Sequence, residues 1–198
     1  MPEYIELILA AITGYFLGSI PFGLILTRMA GLGDIRNIGS GNIGATNVLR
    51  TGRRMLAFWT LLLDGGKGAL AFILGQIYAP ELAFNAAFFA FLGHLFPVWL
   101  TFKGGKGVAT FLGIMFAISW KVGLLALVIW VLIAFVFRFS SLASLLTALI
   151  CPILCWLLVS LNAAIWTGAM VILVVLRHHG NIKRLLQGTE SKIGQKSS

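Results

Sequence analysis

Seven apolar runs, each bounded by glycine, proline or charged residues, constrain this chain more than any other feature. They fall near Tyr4–Thr27, Met55–Ala79, Leu82–Leu100, Val108–Trp120, Val122–Phe137, Leu142–Ser160 and Asn162–Leu176. A helix of about 20 apolar residues crosses the hydrocarbon core of a bilayer, so these runs predict an all-α integral membrane protein of about seven transmembrane helices. The fourth, fifth and seventh are short, which suits thin, tilted or partly re-entrant segments. Composition points the same way, since 59% of the 198 residues are hydrophobic and only 11% charged, too few to cover a surface exposed to water. An ordinary soluble domain is excluded.

The few charges are lopsided, with 15 Lys and Arg against 6 Asp and Glu and a formal net charge of +9. Assigning loops to alternate sides gathers Arg28, Arg36, Arg50, Arg53, Arg54, Lys103, Lys106, Arg138, Arg177, Lys183, Arg184, Lys192 and Lys196 on one side. The opposite side receives Lys121 with Glu3, Glu6 and Glu81, and Lys67 falls inside a run. By the positive-inside rule the basic side is cytoplasmic. Seven spans then put the N-terminus outside and the C-terminus in the cytoplasm. Glu3 and Glu6 stand where a cleavable signal peptide would be positive, so the first run is expected to stay in the mature protein. The external connections around Pro80, Lys121 and Leu161 are short, which assigns any chemistry to the cytoplasmic face. The chain reads as a single polytopic membrane domain over residues 1–198. Cys151 and Cys155 have no second pair to complete a metal site or a disulfide framework, and are expected to be small buried apolar residues.

Polar residues concentrate in three cytoplasmic stretches. The first, Gly33 to Arg50, sets Gly39, Gly41 and Gly44 among Ser40, Asn42, Thr46 and Asn47. Glycines let the backbone turn sharply and approach a ligand, and amides in such turns make anion-binding nests. A plain solvated loop is an equally open reading of this stretch alone. The second stretch joins Gly93-His94-Leu95-Phe96-Pro97 to Phe102-Lys103-Gly104-Gly105-Lys106-Gly107-Val108-Ala109-Thr110. Its glycines lead straight into an apolar run, so its amides suit an anion at a helix N-terminus. It lacks the Walker A pattern. The plainer alternative is a pair of snorkelling lysines at a tight turn, and His94 reads as a hydrogen-bonding helix-packing residue. The third stretch, Arg177 to Ile193, carries His178, His179, Gly180 and Asn181, and also suits a basic amphipathic tail on anionic lipid. Adjacent histidines without a cysteine or carboxylate cluster do not make a metal site. Within the second run, Asp64 and Lys67 share one helical face and are expected to form an ion pair. The residues together describe a phosphate-binding pocket at the cytoplasmic lipid boundary, and leave transporter and enzyme unseparated.

These motifs resemble the bacterial integral-membrane glycerol-3-phosphate acyltransferases that use acyl phosphate. The resemblance covers nearly the whole chain and rests on Gly39 to Asn47, Gly93-His94 with Phe96-Pro97, Phe102 to Thr110, and His178 with Asn181 to Ile193. It implies seven transmembrane helices, three cytoplasmic motif regions, and no His-x4-Asp motif of the soluble acyltransferases. The sequence agrees, because Trp99, Lys183 and Arg184 stand five residues after His94, His178 and His179. The resemblance implies Ser40, His178 and Asn181 as the catalytic set. It implies Arg50 and Lys106, with Gly41, Asn42, Thr46, Asn47, Gly104, Gly105 and Gly107, as the substrate- and phosphate-binding set. His179 and Gly180 depart from the pattern and receive no role.

The expected reaction moves a fatty acyl group from acyl phosphate to the 1-hydroxyl of glycerol 3-phosphate, giving lysophosphatidic acid and phosphate, the first step of phospholipid synthesis. Acyl phosphate is already activated, so the protein chiefly positions two anions and stabilises oxyanion charge. Direct transfer without an acyl-enzyme is expected, with either His178 or a substrate phosphate oxygen taking the proton. Substrates and membrane lipid are the expected partners; no cofactor, metal, nucleic acid or obligate protein partner is expected. The resemblance places the protein in the bacterial cytoplasmic (inner) membrane. The alternative is a membrane transporter of phosphate-bearing anions.

Overall fold

The computed structural model of the protein describes residues 3–194, and these form α-helices and short 3-10 turns with no strand. The helices are α1 (Glu3–Gly18), α2 (Phe22–Met29), α3 (Ala45–Leu49), α4 (Arg54–Tyr78), α5 (Ala83–Leu95), α6 (Val108–Ile118), α7 (Trp120–Phe137), α8 (Ser140–Leu158), α9 (Leu161–Arg177) and α10 (His179–Leu186). Five segments are long and apolar enough to cross a membrane: Tyr4–Met29, Arg54–Tyr78, Pro80–Leu100, Trp120–Phe137 and Ser140–Leu158. α9 and α10 meet at a 60° bend and make a sixth if taken as one span. The fourth expected run becomes α6, with 11 residues. Large apolar side chains face outward, with Phe135 83% and Trp156 62% exposed, which only a hydrocarbon environment makes favourable.

The chain divides into two compact units, Met1–Ala117 and Ile118–Ser198. In the first, α1 lies along α5, and α4 packs against α5, α1, α2 and α3. The contact of α1 with α5 is made by small residues. A Cβ at Gly18 would stand 1.8 Å from the Ala90 carbonyl oxygen, and one at Gly14 would stand 2.3 Å from that of Ala86. Without side chains there, the two backbones approach closely, as membrane helices do when packing rather than water exclusion drives association. The first apolar run, expected as one helix, breaks at Ser19–Pro21, because proline brings no N–H and cannot continue the ladder. Lys67 donates from Nζ to the Ile20 carbonyl at 2.7 Å, satisfying a group that the break exposes.

In the second unit α8 packs against both α7 and α9. Trp130 on α7 donates to Ser144 Oγ on α8 at 3.0 Å. Cys151 and Cys155 are fully buried and form no disulfide, and Cys155 Sγ lies 3.4 Å from Thr167 Oγ1 on α9.

Candidate active site

The first polar stretch is a folded loop organised by two residues, Asp34 and Asn47. Asp34 caps a 3-10 turn over Ile35–Asn37 by accepting from the Arg36 N–H, and pairs with the Arg36 and Arg28 guanidinium groups at 2.6 and 3.1 Å. The hydrogen bond from the Arg36 side chain, against some opposing burial and with help from Arg28, holds the Asp34 carboxyl well below the usual carboxylate range. Asn47, on α3, is 2% exposed. Its Nδ2 donates to the carbonyls of Ile35, Ile38 and Asn42 at 3.1, 2.9 and 2.8 Å, while its Oδ1 accepts from the Ser40 N–H at 3.0 Å and the Ser40 hydroxyl at 3.3 Å. The side chain expected to bind phosphate is thus directed into its own loop, where it fixes Ser40. Gly39 and Gly41 adopt φ of 58° and 69°, the left-handed region that favours glycine.

Ser40, Gly41, Thr46 and Arg50 are exposed, and Asn42 is half-buried. Asn42 Oδ1 accepts from the Gly44 N–H at 3.3 Å, so this side chain also shapes the turn. Arg50 caps the end of α3 and runs beside Gly39, where an added Cβ would stand 2.8 Å from its Cδ. Arg50 therefore runs beside the residue that precedes Ser40.

The second stretch folds back onto the end of α5. Gly104 N–H donates to the Leu95 carbonyl and Gly105 N–H to that of His94, both at 3.1 Å. Two amides expected to cradle phosphate are thereby used to close the C-terminus of α5. Lys106 is half-buried next in line, and Gly107 follows with φ of 83° and Phe91 against it, immediately before α6 begins. The first turn of a helix offers N–H groups without intrahelical partners, and here they follow directly on Lys106. Below this loop, Asp64 and Lys67 form the expected ion pair at 2.8 Å, and His94 Nδ1 lies 3.6 Å from Asp64 Oδ1.

The third stretch belongs to the second unit and sits at the bend between α9 and α10. His178 is 2% exposed, and its Nδ1 lies 2.8 Å from the Val174 carbonyl. A carbonyl only accepts, so Nδ1 carries the proton and Nε2 is the basic nitrogen of the neutral ring. His179, exposed, uses its Nδ1 in the same way on the Leu176 carbonyl at 3.0 Å. The second histidine that matched no pattern thus helps to end α9. Asn181, 6% exposed, donates from Nδ2 to Glu190 Oε1 at 2.5 Å. Ser141 Oγ donates to the same oxygen at 2.6 Å, and Arg184 Nε to Glu190 Oε2 at 2.6 Å. Burial raises the Glu190 pKa, but these three donors outweigh it and leave the group below its ordinary value.

Glu190 is the residue that sequence reasoning passed over. Its signal was present: with Asp34 it is one of two acids in the otherwise basic polar stretches, and each anchors the motif around it. Among the described residues, no three His, Cys, Asp or Glu side chains are grouped to hold a metal ion.

The comparisons with known proteins agree on one family. A model described as glycerol-3-phosphate acyltransferase matches residues 8–188. A glycerol-3-phosphate acyltransferase of Mesorhizobium japonicum is 59% identical over 190 residues, covering 96% of this chain and 97% of that one. Its counterpart in Brucella anthropi is 53% identical over 197 residues, covering 98% of both. Two crystal structures of PlsY, an integral membrane glycerol 3-phosphate acyltransferase, cover 96% of both chains. The glycerol 3-phosphate form is 34% identical with a TM-score of 0.90, and the lysophosphatidic acid form is 33% identical with a TM-score of 0.89. Sequence and fold together place this chain in the glycerol-3-phosphate acyltransferase family.

Proposed function

We propose that the protein transfers a fatty acyl group from acyl phosphate to the 1-hydroxyl of glycerol 3-phosphate, releasing lysophosphatidic acid and inorganic phosphate. The observation that carries this reading is a fold shared at a TM-score of 0.90 with an acyltransferase crystallised in its glycerol 3-phosphate form, joined to a site rich in glycine and cations. The relatives' names support transfer rather than transport of phosphate-bearing anions.

In the proposed reaction the 1-hydroxyl oxygen attacks the acyl carbonyl, the new C–O bond forms, and the C–O bond to phosphate breaks. The hydroxyl proton ends on the departing phosphate, so charge and atoms balance without any cofactor. Arg50, Lys106 and the amides opening α6 hold the two phosphates, and Gly41, Asn42 and Thr46 shape or line the same surface. Asn47 contributes by fixing Ser40, and Gly104 and Gly105 by setting Lys106 in place. Ser40, His178 and Asn181 orient the reacting groups, with His178 Nε2 the nitrogen suited to accept a proton. No acyl-enzyme forms. The topology proposed with this reaction has seven crossings, N-terminus outside and C-terminus inside, in one membrane domain of the bacterial inner membrane, with the site facing the cytoplasm.

Single-turnover reaction of purified protein with radiolabelled acyl phosphate tests the scheme. Label is expected to pass to glycerol 3-phosphate without stopping on protein. Acylated Ser40, formed and discharged at the turnover rate, would contradict it.

A further inference from the structure

Asp64, Lys67 and His94 form a buried charged cluster in the first unit that the proposed chemistry does not use. They are 1%, 3% and 3% exposed, in two segments long and apolar enough to cross a membrane, Arg54–Tyr78 and Pro80–Leu100, where ionisable groups are costly to keep. Lys67 is fixed by Asp64 on one side and the Ile20 carbonyl on the other, at 2.8 and 2.7 Å. Asp64 in turn faces His94 Nδ1 at 3.6 Å. The opposite edge of the imidazole lies directly under the glycine loop, where a Cβ built at Gly105 would stand 2.1 Å from Nε2 and 2.9 Å from Cε1. The His94 carbonyl accepts the Gly105 N–H as well. The ring is therefore wedged between an anchored carboxylate and the backbone that leads to Lys106.

We propose that His94, packed beside Asp64, is a positioning residue that sets the seat of the Gly104–Gly105 backbone and thereby the location of Lys106. The inference rests on Lys106 binding a substrate phosphate. Its physical content is preorganisation: a long flexible cation gains binding strength when the chain beneath it has one available position. Glycine at 105 and histidine at 94 form a matched pair, since any larger residue at 105 collides with the ring and any smaller residue at 94 lets the loop sink.

The test is a double-mutant cycle on the full-length protein: wild type, His94→Ala, Gly105→Ala and the double variant, assayed with glycerol 3-phosphate and each acyl donor. Each single change is expected to raise the KM for a phosphate-bearing substrate by about tenfold, with a smaller change in kcat, and the double variant to recover much of that loss because the vacated ring space accepts the new methyl. A double variant whose KM rises by the product of the single effects would overturn the proposal, as would His94→Ala with an unchanged KM. Thermal midpoints of the four proteins read the same cycle without turnover: a double variant more stable than Gly105→Ala supports the pairing, and one less stable contradicts it. A wild type active only with acyl-CoA overturns the donor assignment, and the cycle is then read with acyl-CoA, so the two failures are distinguishable.

Discussion

Asn47 shows how much one side chain can organise in a loop of glycines. Three carbonyls converge on its Nδ2, and Ser40 hangs from its Oδ1. Replacing it with alanine removes the side-chain donor to the Asn42 carbonyl and the acceptor of the Ser40 N–H, and leaves the Ile35 and Ile38 carbonyls only their backbone donors, at a cost of about 1–3 kcal/mol for a group so stranded. Asn47→Asp is expected to be worse despite its matching shape, because a carboxylate oxygen would face those carbonyls. Chemical denaturation in detergent should rank wild type above Asn47→Ala and Asn47→Asp last; equal stability of all three would contradict the hub. Glu190 is the counterpart in the third stretch. Its folded pKa lies below the ordinary 4.5, so its contribution to stability is complete above that value and declines as pH falls through the lower folded value. Glu190→Gln should be less stable than wild type at neutral pH and should lose part of the wild type's acid sensitivity, as read from thermal midpoints across pH 3 to 7.

At the scale of elements, close helix contacts depend on particular glycines and not on glycine content. Gly18→Ala drives a methyl into the Ala90 backbone and is expected to cost about 1–3 kcal/mol by overpacking. Gly66, midway along α4, has open space where its Cβ would be, and Gly66→Ala should be neutral or stabilising by about 0.5–1 kcal/mol through helix propensity. Thermal midpoints of the two variants should therefore move in opposite directions. The apolar runs made most helices legible, since length and hydropathy alone specify α4, α7, α8 and α9 to within a few residues. They concealed the break at Pro21, because the residues on either side are equally apolar and the compensating donor, Lys67, lies far along the chain. The site was legible as residue types in three stretches. Direction was not: sequence cannot show that Asn47 points inward, that the Gly104 and Gly105 amides close α5, or that Glu190 gathers Ser141, Asn181 and Arg184, because each depends on a contact distant in sequence or on a turn's geometry.

For the whole molecule, the basic surplus is chiefly topological. In the proposed topology most of the cations orient the chain by the positive-inside rule, and the proposed reaction uses only Arg50 and Lys106 as substrate cations. With the N-terminus outside, Lys121→Cys should react with an impermeant thiol reagent added to intact cells, whereas Arg53→Cys should react only after the membrane is opened. The reverse pattern would invert the topology. The central claim is acyl transfer from acyl phosphate, and the most direct measurement uses acyl phosphate with heavy oxygen in the bridge between carbonyl and phosphorus, offered to purified protein with glycerol 3-phosphate. Mass spectrometry should find unlabelled lysophosphatidic acid and phosphate that carries the bridge oxygen. Lysophosphatidic acid formed from acyl-CoA but not from acyl phosphate, or phosphate released without the label, would contradict the account.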